Sequence, residues 1–327
     1  MSSQMHRRMF VRTTGTAVLF ATVSERLGKW MGPLAEPIKI GVIADLHQDV
    51  IHDAPRRLSQ FLSAMEDFQP DALIQLGDFA VPSHKNRAFT KQFNEAGPQK
   101  LHVLGNHDMD SGHTRQQCKD EWGIPNGYYA HEIGGLLLLV LDGNEKGSEK
   151  YKGGYPKFIG PKQVEWLKEQ LSRAHQPVIV ISHQPLAGPS AIDNAKEVQG
   201  VLTEQADKVL FAMNGHTHID YVVKVGDVVY WHVNSASYYW VGGDFTHPSY
   251  TKEIHRKFPY LAYTCPYQEP LYAALTIDPK NGMIRVEGTN TKWQGPSPLE
   301  LQVMSVERAG ENSVRPRITH RDFGSGK

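Results

Sequence analysis

Cysteine is nearly absent from this chain, with only Cys118 and Cys265 among 327 residues. Two positions define no disulfide framework, and both are expected to be free or buried. Neither sign of charge is in excess: 35 Lys and Arg balance 35 Asp and Glu. No global field therefore recruits nucleic acid or an anionic membrane, and any attraction for phosphate must be local. The apolar stretch Leu136–Leu141 is far too short to span a bilayer and reads as a core strand. Internal repeats and low-complexity tracts are missing as well. The length suffices for one large core, or for one core with appendages.

Short ordered motifs are present instead: Asp45-Leu46-His47, Gly77-Asp78, Gly105-Asn106-His107-Asp108, Ser182-His183 and Gly215-His216-Thr217-His218. Each follows a brief apolar run: 38–44, 72–76, 101–104, 178–181 and 208–213. Runs this short and rich in β-branched residues read as buried strands. Every candidate ligand then sits just past the C-terminal end of a strand, the edge where layered α/β sheets gather their active sites. Between the runs, 55–68 places Leu58, Phe61, Leu62 and Met65 on one helical face. The segment 160–174 opens with Pro161 and places Val164, Leu167 and Leu171 likewise. The alternation argues for a layered α/β architecture.

A lone His-x-His is more often a surface or core pair, and a lone Gly-Asp is usually a turn. Together, each after a strand-like run, these motifs supply the oxygen and imidazole donors that two divalent metals need. Carboxylates and imidazoles without thiolate suit Mn, Fe, Zn or Co, with identity open. Asp78 is the natural bridge, because one carboxylate can offer oxygen to two cations. Two metals roughly 3.5–4 Å apart can share a hydroxide and clamp the attacking and leaving oxygens of a phosphoryl transfer. The chemistry implied is phosphoester hydrolysis.

The series D-x-H, GD, GNHD, H and GHxH resembles the calcineurin-like metallophosphoesterase superfamily, over about two-thirds of the chain from Ile38 to Val233. The resemblance implies a four-layer α/β/β/α sandwich with two central mixed sheets and a dinuclear site at the strand ends. It implies Asp45, His47 and His218 on one metal, Asn106, His183 and His216 on the other, and Asp78 on both. It further implies that His107 contacts the phosphate and assists the leaving oxygen, while Asp108 orients His107. The text 159–167 also looks like purple acid phosphatases and related phosphodiesterases. Their tyrosine ligand, three residues after the bridging aspartate, corresponds to Val81 here, so no Fe(III)–tyrosinate chromophore is expected. The expected substrate is a small phosphoester, with a phosphodiester or nucleotide-like group favoured. A phosphomonoesterase of the same fold and a non-catalytic metal-binding module are the alternatives.

Among the remaining histidines, His52, His84, His102, His113, His131, His175 and His232 belong to no such motif, and most are expected in packing or at the surface. His84, Asp110 and His113 follow the motifs closely enough to rim a pocket. Residues 1–37 read as a leader: Arg7-Arg8 before Met9-Phe10, then an uncharged, weakly apolar stretch from Thr13 to Val23, resemble a twin-arginine export signal. Export machinery is then an expected partner, and a periplasmic or other exported location the expected destination. Within the main domain, 38–294, the segment 235–270 is dense in Tyr, His and Pro. It reads either as a substrate-shaping cap or as a surface insertion packed by its own aromatics. A hairpin follows, with Asn281-Gly282 in its turn, expected to complete the second sheet. Residues 295–327 read as a polar, loosely ordered tail.

Overall fold

The computed structural model describes residues 36–303 and 314–323. The leader therefore lies, but for its last two residues, outside the described part of the chain. One six-stranded sheet is centred on β1 (Ile38–Ile43), which runs parallel to β2 (Ala72–Gln75) and through it to β3 (Gln99–His102). The second sheet, also six-stranded, carries β4 (Tyr129–Ile133) and β5 (Leu136–Val140) as an antiparallel pair. It continues in parallel through β6 (Val178–Ser182), β7 (Val209–Asn214) and β9 (Val228–His232), with β8 (Tyr221–Val225) closing its edge. A short ribbon pairs β10 (Tyr238–Trp240) with β11 (Thr264–Pro266).

Burial on both faces explains why the central strands read as unbroken apolar runs rather than as alternating ones. In β5, Leu136, Leu138 and Val140 point into the core between the sheets, while Leu137 and Leu139 point to the helices outside. Those helices, Pro161–Arg173 and Ala195–Glu204, present Val164, Leu167, Leu171, Val198 and Leu202. On the far side, Ala54–Phe68 lays Leu58, Phe61 and Met65 over Ile43 and Leu73. The order helix, sheet, sheet, helix is the expected four-layer sandwich.

Three details differ from the sequence reading. The ladder of β3 ends at His102, although Val103 and Leu104 beyond it are buried, so the apolar text overruns the hydrogen-bonded strand. The hairpin of β12 (Ala273–Asp278) and β13 (Met283–Gly288) adds to the β1 sheet, through antiparallel pairing of β12 with β1. Beyond Gly295 the chain is not uniformly loose. Among the described residues there, β14 (Arg321–Phe323) pairs with β13, Val314 and Ile318 are buried, and Arg321 is ion-paired with Asp220 at 2.7 Å. That pair anchors a polar segment that carries no periodicity of its own. Among the described residues, no helix is long and apolar enough to cross a membrane.

Candidate metal centre

Side-chain donors from five strand ends meet at the C-terminal edge shared by the two sheets. Asp45 and His47 follow β1, Asp78 follows β2, Asn106 follows β3, His183 follows β6, and His216 and His218 follow β7. Asp45, His47 and His218 form one group able to hold a metal, and Asp78, His183 and His216 form another. In the first, His218 Nε2 lies 3.3 Å from Asp45 Oδ1 and 3.2 Å from His47 Nε2. In the second, His183 Nε2 lies 3.1 Å from Asp78 Oδ2, 3.2 Å from Asn106 Oδ1 and 3.2 Å from His216 Nδ1. Asp78 Oδ2 also lies 3.7 Å from His47 Nε2, so this one oxygen faces both groups.

The backbone is bent hard to achieve this. Asp45, His47, Asp78, His216 and His218 all have positive φ, at 50°, 54°, 52°, 68° and 52°. Left-handed backbone at non-glycine residues costs about 1–3 kcal/mol each and persists only where the surroundings enforce it. Here they do. The Asp45 carboxylate accepts the His216 amide at 3.0 Å, and Asp78 Oδ1 accepts the His107 amide at 2.7 Å. The Asp45 amide donates to Gly77 and the His47 amide to Asp78, lacing one loop to the next. Glycine makes the approach possible: a methyl on Gly105 would strike the Asp78 nitrogen and Oδ1, and one on Gly215 would strike the Asp45 carboxylate.

The donor set fits a cation. His183 is held with Nδ1 donating to the Leu76 carbonyl at 2.8 Å, which turns Nε2 toward the carboxylate. Burial opposes a charge on His183, yet Asp78 beside it raises its pKa to about 10. Burial, then the neighbouring His183, lowers His216 to about 3, and burial lowers His47 well below its ordinary value. Asp78, despite its burial, is held well below the usual carboxylate range by the histidines around it, His183 first. Buried imidazoles whose nitrogens crowd within hydrogen-bond distance around ionised carboxylate oxygen demand positive charge between them. A divalent metal supplies it without a proton on each ring.

His107 and Asp108 are neighbours with opposite destinations. Asp108 is fully buried and accepts from the amides of Gly105, Asp78, Phe79 and Ala80 at 2.7–3.0 Å. Burial and the nearby Asp78 raise its pKa to about 7. It clamps the Gly77-Asp78 loop to the Asn106 loop, with no hydrogen bond to the His107 ring among the described residues. The expectation that Asp108 orients His107 has no such bond behind it, since successive side chains of a 3-10 turn leave the backbone about 120° apart. The partner of His107 is Asp110, whose Oδ2 lies 2.7 Å from Nδ1. Tyr155, from the loop before the Pro161–Arg173 helix, donates to Asp110 Oδ1 at 2.6 Å and also lies 3.1 Å from His107 Nδ1. Burial opposes a charge on His107, but Asp78 and Asp110 raise its pKa to about 9.

Both groups open into a cleft of about 810 Å³. Its floor includes His47, Asp78, His107 and Asp108, and its walls include Asp110, His113, Tyr155, Lys85, Tyr238, Trp240 and Tyr260. Asp110 and His113 rim the pocket as expected; His84, in a 3-10 turn, is not among the lining residues. The aromatic-rich segment combines both expectations for it. It packs on its own rings, with Trp240 stacked on Tyr263 at 5.7 Å, and it walls the cleft with Trp240 and Tyr260. Tyr238 lies beneath the site, stacked on His47 at 4.9 Å. Of the histidines outside the motifs, His232 is buried and receives a structural task. Its Nε2 donates to the Ala187 carbonyl at 2.9 Å, and its Nδ1 lies 3.1 Å from Thr217 Oγ1, steadying the loop between His216 and His218. Both cysteines are buried and free.

Comparison with known proteins agrees with this geometry. The sequence profile described as calcineurin-like phosphoesterase matches residues 38–220, more than half of the chain. No curated protein matches. Among solved structures, a dimetal phosphatase from Danio rerio is similar at 14% identity and a TM-score of 0.55, covering 77% of this chain and 95% of that one. The structure described as GAP50, the anchor in the inner membrane complex of Plasmodium, is similar at 15% identity and a TM-score of 0.53, covering 89% and 90%. At these identities the structural likeness shows the fold alone, and the matched profile carries the assignment: the chain belongs to the calcineurin-like phosphoesterase family.

Proposed function

We propose that the protein hydrolyses phosphoesters with a pair of divalent metals of the Mn, Fe, Zn or Co class. Asp45, His47 and His218 would hold one metal, Asn106, His183 and His216 the other, and Asp78 both. The observation that carries this reading is Asp78 Oδ2 facing His47 and His183 at 3.7 and 3.1 Å, at the floor of the cleft. Such a pair, when bound, acidifies water and compensates the charge that develops on a phosphoryl group.

The chain's own residues supply the rest. Asn106 turns Oδ1 toward His183, which leaves its amide N–H groups for a phosphoryl oxygen. His107 lines the cleft with Nδ1 engaged by Asp110, leaving Nε2 for the leaving oxygen. The exposed aromatic faces of Trp240 and Tyr260 favour a substrate with a planar aromatic group, as in a nucleotide or an aryl phosphodiester. A bare phosphomonoester would leave most of the 810 Å³ cleft unused.

The test is hydrolysis of bis- and mono-nitrophenyl phosphate by the metal-loaded protein. The expected outcome is turnover of both, with the diester preferred. A clear monoester preference would overturn the substrate reading, and no turnover of either would overturn the enzymatic one. Export remains the proposed location, supported by Arg7 and Arg8 in the leader. Replacing both by Lys is expected to leave the protein inside the cell; unchanged export would sink that proposal.

A further inference from the structure

His107 cannot work as a freely turning ring, because its Nε2 must meet one oxygen of a bound phosphoester. Its backbone is tied down by the amide hydrogen bond to Asp78 Oδ1 at 2.7 Å. Among the described residues, hydrogen bonds reach the ring itself at its Nδ1 edge only. Asp110 Oδ2 accepts from Nδ1 at 2.7 Å, the other oxygen of that carboxylate accepts from the Tyr155 hydroxyl at 2.6 Å, and the Tyr155 ring lies 4.7 Å from the imidazole. Asp110 and Tyr155 come from different stretches of chain and meet at the Nδ1 edge of the His107 ring. They also lie in the open part of the cleft, with Tyr155 47% exposed, while on its inner side the ring meets His47 edge-on at 5.3 Å.

We propose that Asp110 and Tyr155 act as one positioning unit for His107, a task that the sequence motif alone would give to Asp108. Asp110 holds the proton on Nδ1 and so turns Nε2 toward the reacting phosphoester. Tyr155 fixes the carboxylate through its second oxygen and packs its own ring, tilted, against the imidazole. An aspartate with one oxygen spent on Tyr155 cannot swing away from the imidazole without breaking a second hydrogen bond. Asp108, by contrast, is fully committed to backbone amides. The unit rests on the hydrolytic reading above for its purpose, but its geometry can be tested apart from turnover.

Two readouts separate these levels. In Zn-loaded protein with labelled histidine, the Nδ1 proton of His107, assigned by its loss in His107→Ala, is expected as a downfield, slowly exchanging resonance. Asp110→Ala should abolish it and Tyr155→Phe should shift it and speed its exchange. A resonance unchanged in both variants would overturn the unit whether or not the protein turns over phosphoesters. The second readout is kinetic. Loss of an outer hydrogen-bond partner typically costs about 10–100-fold, and Asp110→Ala is expected to lose this much kcat, with KM little changed, on a diester with a poor leaving group such as phenol. On the nitrophenyl ester, which needs little help in departure, the loss should stay within about 3-fold. Tyr155→Phe should show the same pattern more weakly, and the double variant should be no worse than Asp110→Ala alone. Equal losses on both leaving groups, or additive losses, would contradict coupled positioning. Wild-type protein inert on both esters would strike the hydrolytic reading while leaving the resonance to decide the unit.

Discussion

The floor and the rim of the cleft are built on opposite principles. On the floor, every candidate ligand side chain but His216 is buried, several sit on strained left-handed backbone, and neighbouring loops are laced together by carboxylates that accept backbone amides. On the rim, Tyr155, Trp240 and Tyr260 are 47%, 46% and 59% exposed and hang from a loop, a short ribbon and a 3-10 turn. The contrast teaches where each property resides. Chemistry that tolerates little displacement is placed where four layers of structure converge, and selectivity, which must accommodate a substrate, is left to side chains that can move.

The comparison can be broken most forcefully from below. Asp78→Asn is expected to lose the metal pair and to drop turnover by about 10³-fold or more, the equivalent of several kcal/mol of charge stabilisation. Full occupancy of both positions, measured as ions per chain, would remove Asp78 as the bridge. His107→Ala should retain both metals while losing about 10²–10⁴ of its rate on a diester with a poor leaving group such as phenol, the range usual for a proton-transfer partner. Unchanged turnover would take His107 out of the mechanism.

Asp108→Ala asks whether the floor is braced from within. It strands the amides of Gly105, Asp78, Phe79 and Ala80, each unsatisfied group costing about 1–3 kcal/mol. A lowered denaturant midpoint and weakened metal affinity are expected together. A drop in activity with stability and metal binding both intact would instead restore Asp108 to a direct role at His107. From the rim the expected effect is smaller. Stacking of a base on an aromatic ring contributes about 1–3 kcal/mol, so Trp240→Ala should raise KM roughly 10-fold for nucleotide or aryl substrates and leave kcat unchanged. Equal effects on alkyl phosphoesters would show that Trp240 shapes the cleft without reading an aromatic group.

The same contrast between floor and rim governs what the sequence makes legible. Asp45, His47, Asp78, Asn106, His183, His216 and His218 are legible because each motif is local and each follows a buried strand, whose apolar run points to it. The helix faces of Leu58, Phe61 and Met65, and of Val164, Leu167 and Leu171, are legible from period alone. Tyr155 is not: it lies 48 residues beyond His107, in a polar loop with neither periodicity nor motif, and only the fold brings the two together. The motif does not tell where the Asp108 carboxylate goes, because adjacency in sequence says nothing about which way a 3-10 turn aims consecutive side chains. Strand β14 escapes a propensity reading because its three residues gain their strand character from β13 and from the Arg321–Asp220 pair.

The most direct measurement is to strip the protein of metal and titrate Mn, Fe, Zn or Co back while following ions bound per chain and hydrolysis of bis-nitrophenyl phosphate together. Turnover that appears as the second ion binds, and is absent from Asp78→Asn at every metal concentration, is the expected result. Two ions bound without turnover by any of these metals would contradict a dinuclear phosphoesterase, and so would full turnover with one.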